Sequence, residues 1–301
     1  MVDVLEANMQ SAIDGVIADG TPLRKVVTGF TFTEGPIYHP DTGRLYFSDI
    51  AESKQYVWDK TSGLKFFRMP SNQANGNCFD LDGNIVTCEH ASSHLVIHDH
   101  SGKRVRVLVS HFEGKELNSP NDVVCDTAGR LWFTDPSFGR IREDLGLVRE
   151  QELDFQGLFR LDPDGTLHCM AKDFQQPNGL CFSNDESRLF VNDSWGGNIR
   201  VFTVDSDGAL YGGGEWTKVT GEGEGVPDGM KMDIAGRIFC NGPGGVHVFS
   251  PSAQHLGVIR TPEKSTNFCF GGPRNTTLFI TASTSVYAIS TMTSANSMIH
   301  D

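Results

Sequence analysis

Short apolar runs recur along this chain in pairs, and a turn rich in Asp, Asn and Gly joins the two runs of each pair. The second run of each pair is anchored at Leu45, Ile85, Leu131, Leu189, Ile238 and Leu278. Successive anchors lie 40 to 58 residues apart, and the intervals hold further short apolar runs. Runs of about five residues bounded by turn residues read as strands, and their near-continuous apolar character is that of strands covered on both faces. The Gly that precedes Arg44, Arg130 and Arg237 meets the need of tight hairpin turns for a positive φ. Six strand-rich units at this spacing predict an all-β fold, a six-bladed β-propeller with four-stranded blades.

Outer strands fill the intervals, for example Tyr56–Trp58 and Lys65–Phe67 after the first hairpin, or Leu95–Ile97 and Val105–Val107 after the second. The sixth hairpin is followed by Val286–Ile289, with little chain left for a fourth strand. The early segment Arg24–Val27 is free to supply it, so the ring is expected to close by pairing N- and C-terminal strands in one blade. Residues 1–20 read as a poorly anchored or short helical lead-in. Residues 21–301 read as a single propeller domain, because no blade buries both of its faces alone. The longest insertion, Gly139 to Gln156, is charged and follows the third hairpin. It is expected to lie over one face of the ring as a lid or rim loop.

Ten or eleven residues before each anchor stands Glu34, Asn75, Asn121, Asn178, Asp228 or Asn267. Equivalent positions in a propeller encircle its axis. A ring of one Glu, one Asp and four Asn, without Lys or Arg, has the composition of a hard-cation site. The alternative is a hydrogen-bonded Asn ladder filling the throat, but two unpaired carboxylates there are costly without a cation. Four residues past their anchors, the second strands end at Asp49, Glu89, Asp135 and Asp193. These are expected to flank the ring at the same mouth of the channel, or else simply to cap turns.

The formal net charge of −13 changes the picture by exclusion. A nucleic-acid backbone would be repelled, and no basic stripe offsets this. No apolar run approaches the roughly 18 residues of a membrane span. Met1 to Gly20 carries acids but no Lys or Arg, unlike a secretory signal, and a cytoplasmic protein is expected. The seven cysteines form no C-x-x-C pair and lie mostly within apolar strands, so they read as small core residues rather than disulfides or zinc ligands. No G-x-S-x-G motif is present, which disfavours a covalent acyl-enzyme route.

Glu34-Gly-Pro36, Ser119-Pro-Asn-Asp122, Pro177-Asn-Gly179 and Val226-Pro-Asp-Gly-Met230 together resemble the metal-site motifs of the gluconolactonase, regucalcin and senescence-marker-protein family. Thr134-Asp-Pro-Ser-Phe-Gly139 and Cys88-Glu-His90 are similar to its bacterial gluconolactonase branch. The resemblance covers about residues 25–290. It implies a six-bladed propeller with one divalent metal ion in the central channel, held by Glu34, Asn178 and Asp228, with Asn121 coordinating directly or through water. Calcium is the first expectation, with magnesium, manganese, iron(II) or zinc as alternatives. The implied activity is hydrolysis of a small sugar lactone. Asp228 would serve as general base toward water while the metal polarises the lactone carbonyl. Where regucalcin-like proteins carry a substrate-binding Arg, this chain has Ser119. Asn75, His90, Asn118 and Trp195 stand in as candidate substrate contacts. Two other readings stay open: a promiscuous esterase or organophosphate hydrolase on the same site, and a non-catalytic metal-binding propeller.

Overall fold

The computed structural model describes residues 8–99 and 101–295. Six antiparallel sheets form the blades, and in the first five the innermost strand is followed outward by its sequence neighbours. Blade one is Thr33–His39, Arg44–Asp49, Lys54–Asp59 and Gly63–Arg68. Blade two runs Ala74–Phe79 to Arg104–Val109, blade three Val123–Cys125 to Leu167–Phe174, and blade four Pro177–Phe182 to Leu210–Lys218. Blade five runs Met230–Met232 to His255–Arg260. Blade six holds Ser265–Gly271, Thr277–Ala282 and Ser285–Ser290, and its fourth strand is Thr21–Thr28. Arg24 pairs with Ala288 and Thr28 with Ser285, so the two ends of the chain close the ring, as the sequence predicts.

The buried apolar side chains divide into clusters that sit between neighbouring blades. Cys78, Val86 and Leu95 of blade two pack with Val123, Phe133 and Phe159 of blade three. Val124, Trp132 and Leu158 of blade three pack with Leu180, Val191 and Phe202 of blade four. Each fully buried Phe or Leu contributes about 1.5–3 kcal/mol, and this burial exists only when the next blade is present. None of the seven cysteines is in a disulfide, and all but Cys169 are buried, in keeping with their place in apolar strands.

The N-terminal lead-in differs from expectation. Its residues 1–7 lie outside the described residues, but Asn8–Gln10 forms a fifth strand on blade six, paired with Thr21–Leu23. No helix forms in residues 8–20. Val16 and Ile17 are fully buried among side chains of blades five and six. Arg237 Nη2 donates to the carbonyl oxygen of Gly15 at 2.9 Å. The reason is apolar burial: Ile13, Val16 and Ile17 seal the outer edge of that junction. Among the described residues, no helix is long and apolar enough to cross a membrane.

Candidate metal and substrate site

The six ring residues lie where the innermost strands begin, and the local backbone there is irregular. Strand register shifts between Glu34 and Ile37, between Ala74 and Asn77, between Pro177 and Leu180, and between Ser265 and Asn267. In blades three and five the strand instead starts two residues after Asn121 and Asp228. Bulges of this kind re-aim a side chain out of the ladder. All six ring residues are buried.

Glycine sets how closely the ring packs. Gly35, Gly76, Gly179 and Gly229 each follow a ring residue. A Cβ on Gly35 would meet the carbonyl oxygen of Asn75 at 2.0 Å, one on Gly76 that of Asn121 at 2.5 Å, and one on Gly179 that of Asp228 at 2.2 Å. On Gly229 it would meet Asn267 Oδ1 at 2.1 Å. Each glycine therefore lets one ring position abut the next.

Glu34, Asn75, Asn121, Asn178 and Asp228, from five blades, line one cavity of about 160 Å³. His90 and Trp195 line it too. Asn267 sits aside from the cavity wall; its Oδ1 accepts from the main-chain N–H of Phe268 at 2.9 Å, and its side chain favours the ionised forms of Glu34 and Asp122. Asn118 is likewise outside the lining. Its main-chain N–H donates to Asp135 Oδ2 at 2.8 Å, and its Nδ2 donates to the carbonyl oxygen of Phe155 at 2.9 Å.

The strand-end carboxylates do not form a second ring around the ligand space; none of them is among the cavity-lining residues. Asp49 accepts from the main-chain N–H groups of Thr31 and Phe32, at 3.0 and 2.9 Å. Asp193 accepts from those of Gln175 and Gln176, at 2.7 and 2.9 Å. Glu89 pairs with Arg68 at 2.7 Å. The chain entering an inner strand has N–H groups without ladder partners, and the strand-end carboxylate oxygens of Asp49 and Asp193 satisfy them. Burial pushes Asp135 up to about 7.

Several lining residues are not evident from the ring pattern alone. Phe32 and Val226 stand two residues before Glu34 and Asp228, on the loops entering their inner strands, a spacing that flags them in retrospect. Lys264 lies over the Phe32 ring, Nζ 5.7 Å from its centroid. Arg142 and Leu145 come from the insertion that follows the third hairpin, between the second and third strands of blade three, and Phe138 immediately precedes it; the insertion thus forms a rim of the cavity as expected of it. The insertion begins with a short helix, Phe138–Ile141. The buried Arg140 guanidinium fastens it, donating to the carbonyl oxygens of Asn118 at 2.8 Å and Glu150 at 3.0 Å and pairing with Glu116. Trp195 is 60% exposed, and its ring meets that of Phe138 edge-on at 6.4 Å.

Burial pushes the Glu34 carboxyl well above its usual range, and the neighbouring Asp228 pushes it further. Burial also raises Asp228, to about 7, against the opposing pull of Lys264 and a hydrogen bond from Asn178. Asp122 acts on both of them, and is itself raised by burial and held down by Lys231. Three buried carboxylates against the two ammonium groups that act on them, Lys231 and Lys264, leave an excess of negative charge that a bound cation would offset. The donor chemistry fits as well. Glu34 and Asp228 supply carboxylate oxygens, and the Asn121 amide has no other partner among the described residues. Asn178 Nδ2 donates to Ser194 Oγ at 3.1 Å, which leaves its oxygen for a cation. Among the described residues no group of three or more His, Cys, Asp or Glu is arranged to hold a metal ion, so a cation here would draw on the Asn121 and Asn178 amides as well as on the two carboxylates.

The family model described as the SMP-30/Gluconolactonase/LRE-like region matches residues 32–284. The chain belongs to this family. A gluconolactonase from Zymomonas mobilis is 30% identical to it, covering 93% of this chain and 84% of its own. A pentonolactonase from Haloferax volcanii is 28% identical, covering 87% and 84%. Among solved structures, a gluconolactonase from Xanthomonas campestris superposes with a TM-score of 0.84 at 32% identity, covering 90% of each chain. The family match spans the segment from the entry of blade one to the third strand of blade six, and so includes every ring residue.

Proposed function

We propose that this chain is a metal-dependent lactonase that opens small sugar lactones to hydroxy acids in its central cavity. One observation carries the reading: five oxygen-bearing ring side chains, two of them buried carboxylates, converge on one small cavity in a chain of the gluconolactonase family. The cavity is smaller than the roughly 300–1,000 Å³ of drug-sized ligand sites, which suits a monosaccharide lactone.

Glu34, Asn121, Asn178 and Asp228 are the residues that would hold a divalent ion, calcium by donor chemistry. When bound, such an ion supplies polarisation of the lactone carbonyl. Asp228 accepts a proton from the attacking water as its oxygen bonds to the carbonyl carbon. The ring ester C–O bond then breaks, and the proton passes to the departing alkoxide. The product is a hydroxy acid that ionises at neutral pH. Asn75 offers an amide to substrate hydroxyls, and Trp195 offers an apolar face to the sugar's C–H groups.

The test is a pH-indicator assay on a panel of glucono-, galactono- and xylono-lactones, with metal-stripped and metal-reloaded protein and elemental analysis of the protein as purified. Acid release that depends on the reloaded metal supports the reading. Turnover of a phosphotriester but of no lactone would replace it with a phosphotriesterase, and no turnover at all with a binding role.

A further inference from the structure

His90 is fully buried, and its two ring nitrogens have different partners. Nδ1 lies 2.8 Å from the carbonyl oxygen of Leu145, on the insertion that rims the cavity. Nε2 lies 3.0 Å from Nδ2 of Asn75. A carbonyl oxygen only accepts, so Nδ1 carries the proton. The other tautomer would set the Nδ1 lone pair against that oxygen. With Nδ1–H fixed, a neutral ring leaves Nε2 as an acceptor, and the Asn75 amide must present its NH₂ to it. The reverse amide orientation would require a doubly protonated ring, and no carboxylate partners His90 to stabilise that charge. Burial opposes the charged ring too, lowering His90 to about 4. The Asn75 side chain makes no other hydrogen bond among the described residues.

We propose that His90 is a positioning residue that reads the rim segment on one side and fixes the Asn75 amide on the other, so that Asn75 offers its oxygen, a pure acceptor, to the cavity. Resting on the lactonase reading, this assigns Asn75 to substrate hydroxyl groups that donate. The rim segment sits tightly on His90: a Cβ added to Gly139 would meet His90 Cβ at 2.8 Å. Seating the segment therefore sets the polarity of one wall of the site.

The first test does not use activity. Long-range ¹H–¹⁵N correlation spectra of ¹⁵N-histidine-labelled protein should show His90 neutral with its proton on Nδ1, the resonance being assigned by its loss in H90Q. In Asn75→Asp the carboxylate cannot donate, and His90 should take a second proton at neutral pH. A proton on Nε2 in the wild type, or a His90 unmoved in Asn75→Asp, overturns the proposal. The kinetic test separates the two contacts. His90→Asn keeps a donor toward Leu145 but frees Asn75. His90→Gln places an acceptor near the old Nε2 and releases Leu145. His90→Asn should raise KM for a lactone about 2- to 10-fold, with His90→Gln restoring part of the loss. Equal losses in both variants would make His90 a space-filling residue. A wild type that turns over no lactone, yet shows the expected tautomer and the Asn75→Asp response, refutes the lactonase reading and leaves the positioning role standing.

Discussion

The hydroxyl of Thr134 donates to the main-chain carbonyl oxygen of Asn178 at 2.8 Å, joining blade three to blade four directly behind a cavity-lining side chain. The same contact recurs around the ring. Ser48 Oγ donates to the carbonyl oxygen of Asn75 at 2.8 Å, and Asn192 Nδ2 donates to that of Asp228. Each donor stands three residues past its strand anchor. The site is thus held by neighbouring blades rather than by any one hairpin. Thr134→Val keeps the shape but strips the donor, leaving a buried carbonyl oxygen short of a partner. It should cost about 1–3 kcal/mol in urea unfolding. A cost near zero would mean that Asn178 is positioned by its own strand alone.

Gly179 gives a packing test of the same ring. Its Cβ would approach within 2.2 Å of the Asp228 carbonyl oxygen, and its φ is not in the left-handed region, so contact alone decides the outcome. Gly179→Ala should destabilise by about 1–3 kcal/mol through overpacking, read as a lowered urea midpoint. It should also weaken metal binding, because the ring position it displaces carries Asp228. Gly165→Ala is not a fair control despite the open space around it, since its φ is +90°. Gly214, with no neighbour within 4 Å and no positive φ, is.

The fold was legible because every blade repeats one pattern. The anchors Leu45 through Leu278 are buried, and the segment Arg24–Val27 pairs where the missing strand was expected. Five of the six ring positions were legible for the same reason, whereas Asn267 shares their register yet sits aside from the cavity. The strand-end acids were less so, because sequence gives position but not the partner. Asp49 and Asp193 occupy the expected place, yet main-chain N–H groups already hold their oxygens. Long-range packing hid the rest. The insertion that carries Leu145 was expected over the ring, but nothing near Lys264 in sequence places it at the cavity, and the burial of Val16 and Ile17 depends on blades more than two hundred residues away.

Stability should depend on pH through His90. Burial pushes its pKa down to about 4 from the ordinary 6.5. Between those values the unfolded chain binds a proton that the folded chain refuses. The contribution of the neutral ring is therefore complete above pH 6.5 and is lost as pH falls toward 4. For a fully buried group the loss at pH 5 is about 2 kcal/mol. Asp135, raised to about 7, has the opposite sign: its contribution is complete below 3.8 and fades as pH rises through 7. Comparing wild type with His90→Gln cancels the Asp135 effect. In urea unfolding, the change in stability from pH 5 to pH 7 should be more positive in wild type than in His90→Gln by about 2 kcal/mol. Equal differences would place His90 in a more solvated setting than its full burial indicates.

Glu34 and Asp228 are separable by matched amide substitutions. Each loses one negative charge and keeps an oxygen donor, but only Asp228 is assigned to proton transfer. In the metal-free protein, removing one of two adjacent buried carboxylates relieves desolvation and repulsion, so Glu34→Gln and Asp228→Asn should both raise the Tm. Both should weaken metal binding, which isothermal titration measures directly. At saturating metal they should part. Glu34→Gln should recover much of its turnover, whereas Asp228→Asn should stay about 10²–10⁴-fold below wild type, the usual worth of a general base. Equal recovery in both would remove the base from Asp228 and leave it a ligand only. A fall in metal-free Tm would instead show that the two carboxylates are satisfied by their hydrogen bonds, and the charge argument for a cation between the blades would fail.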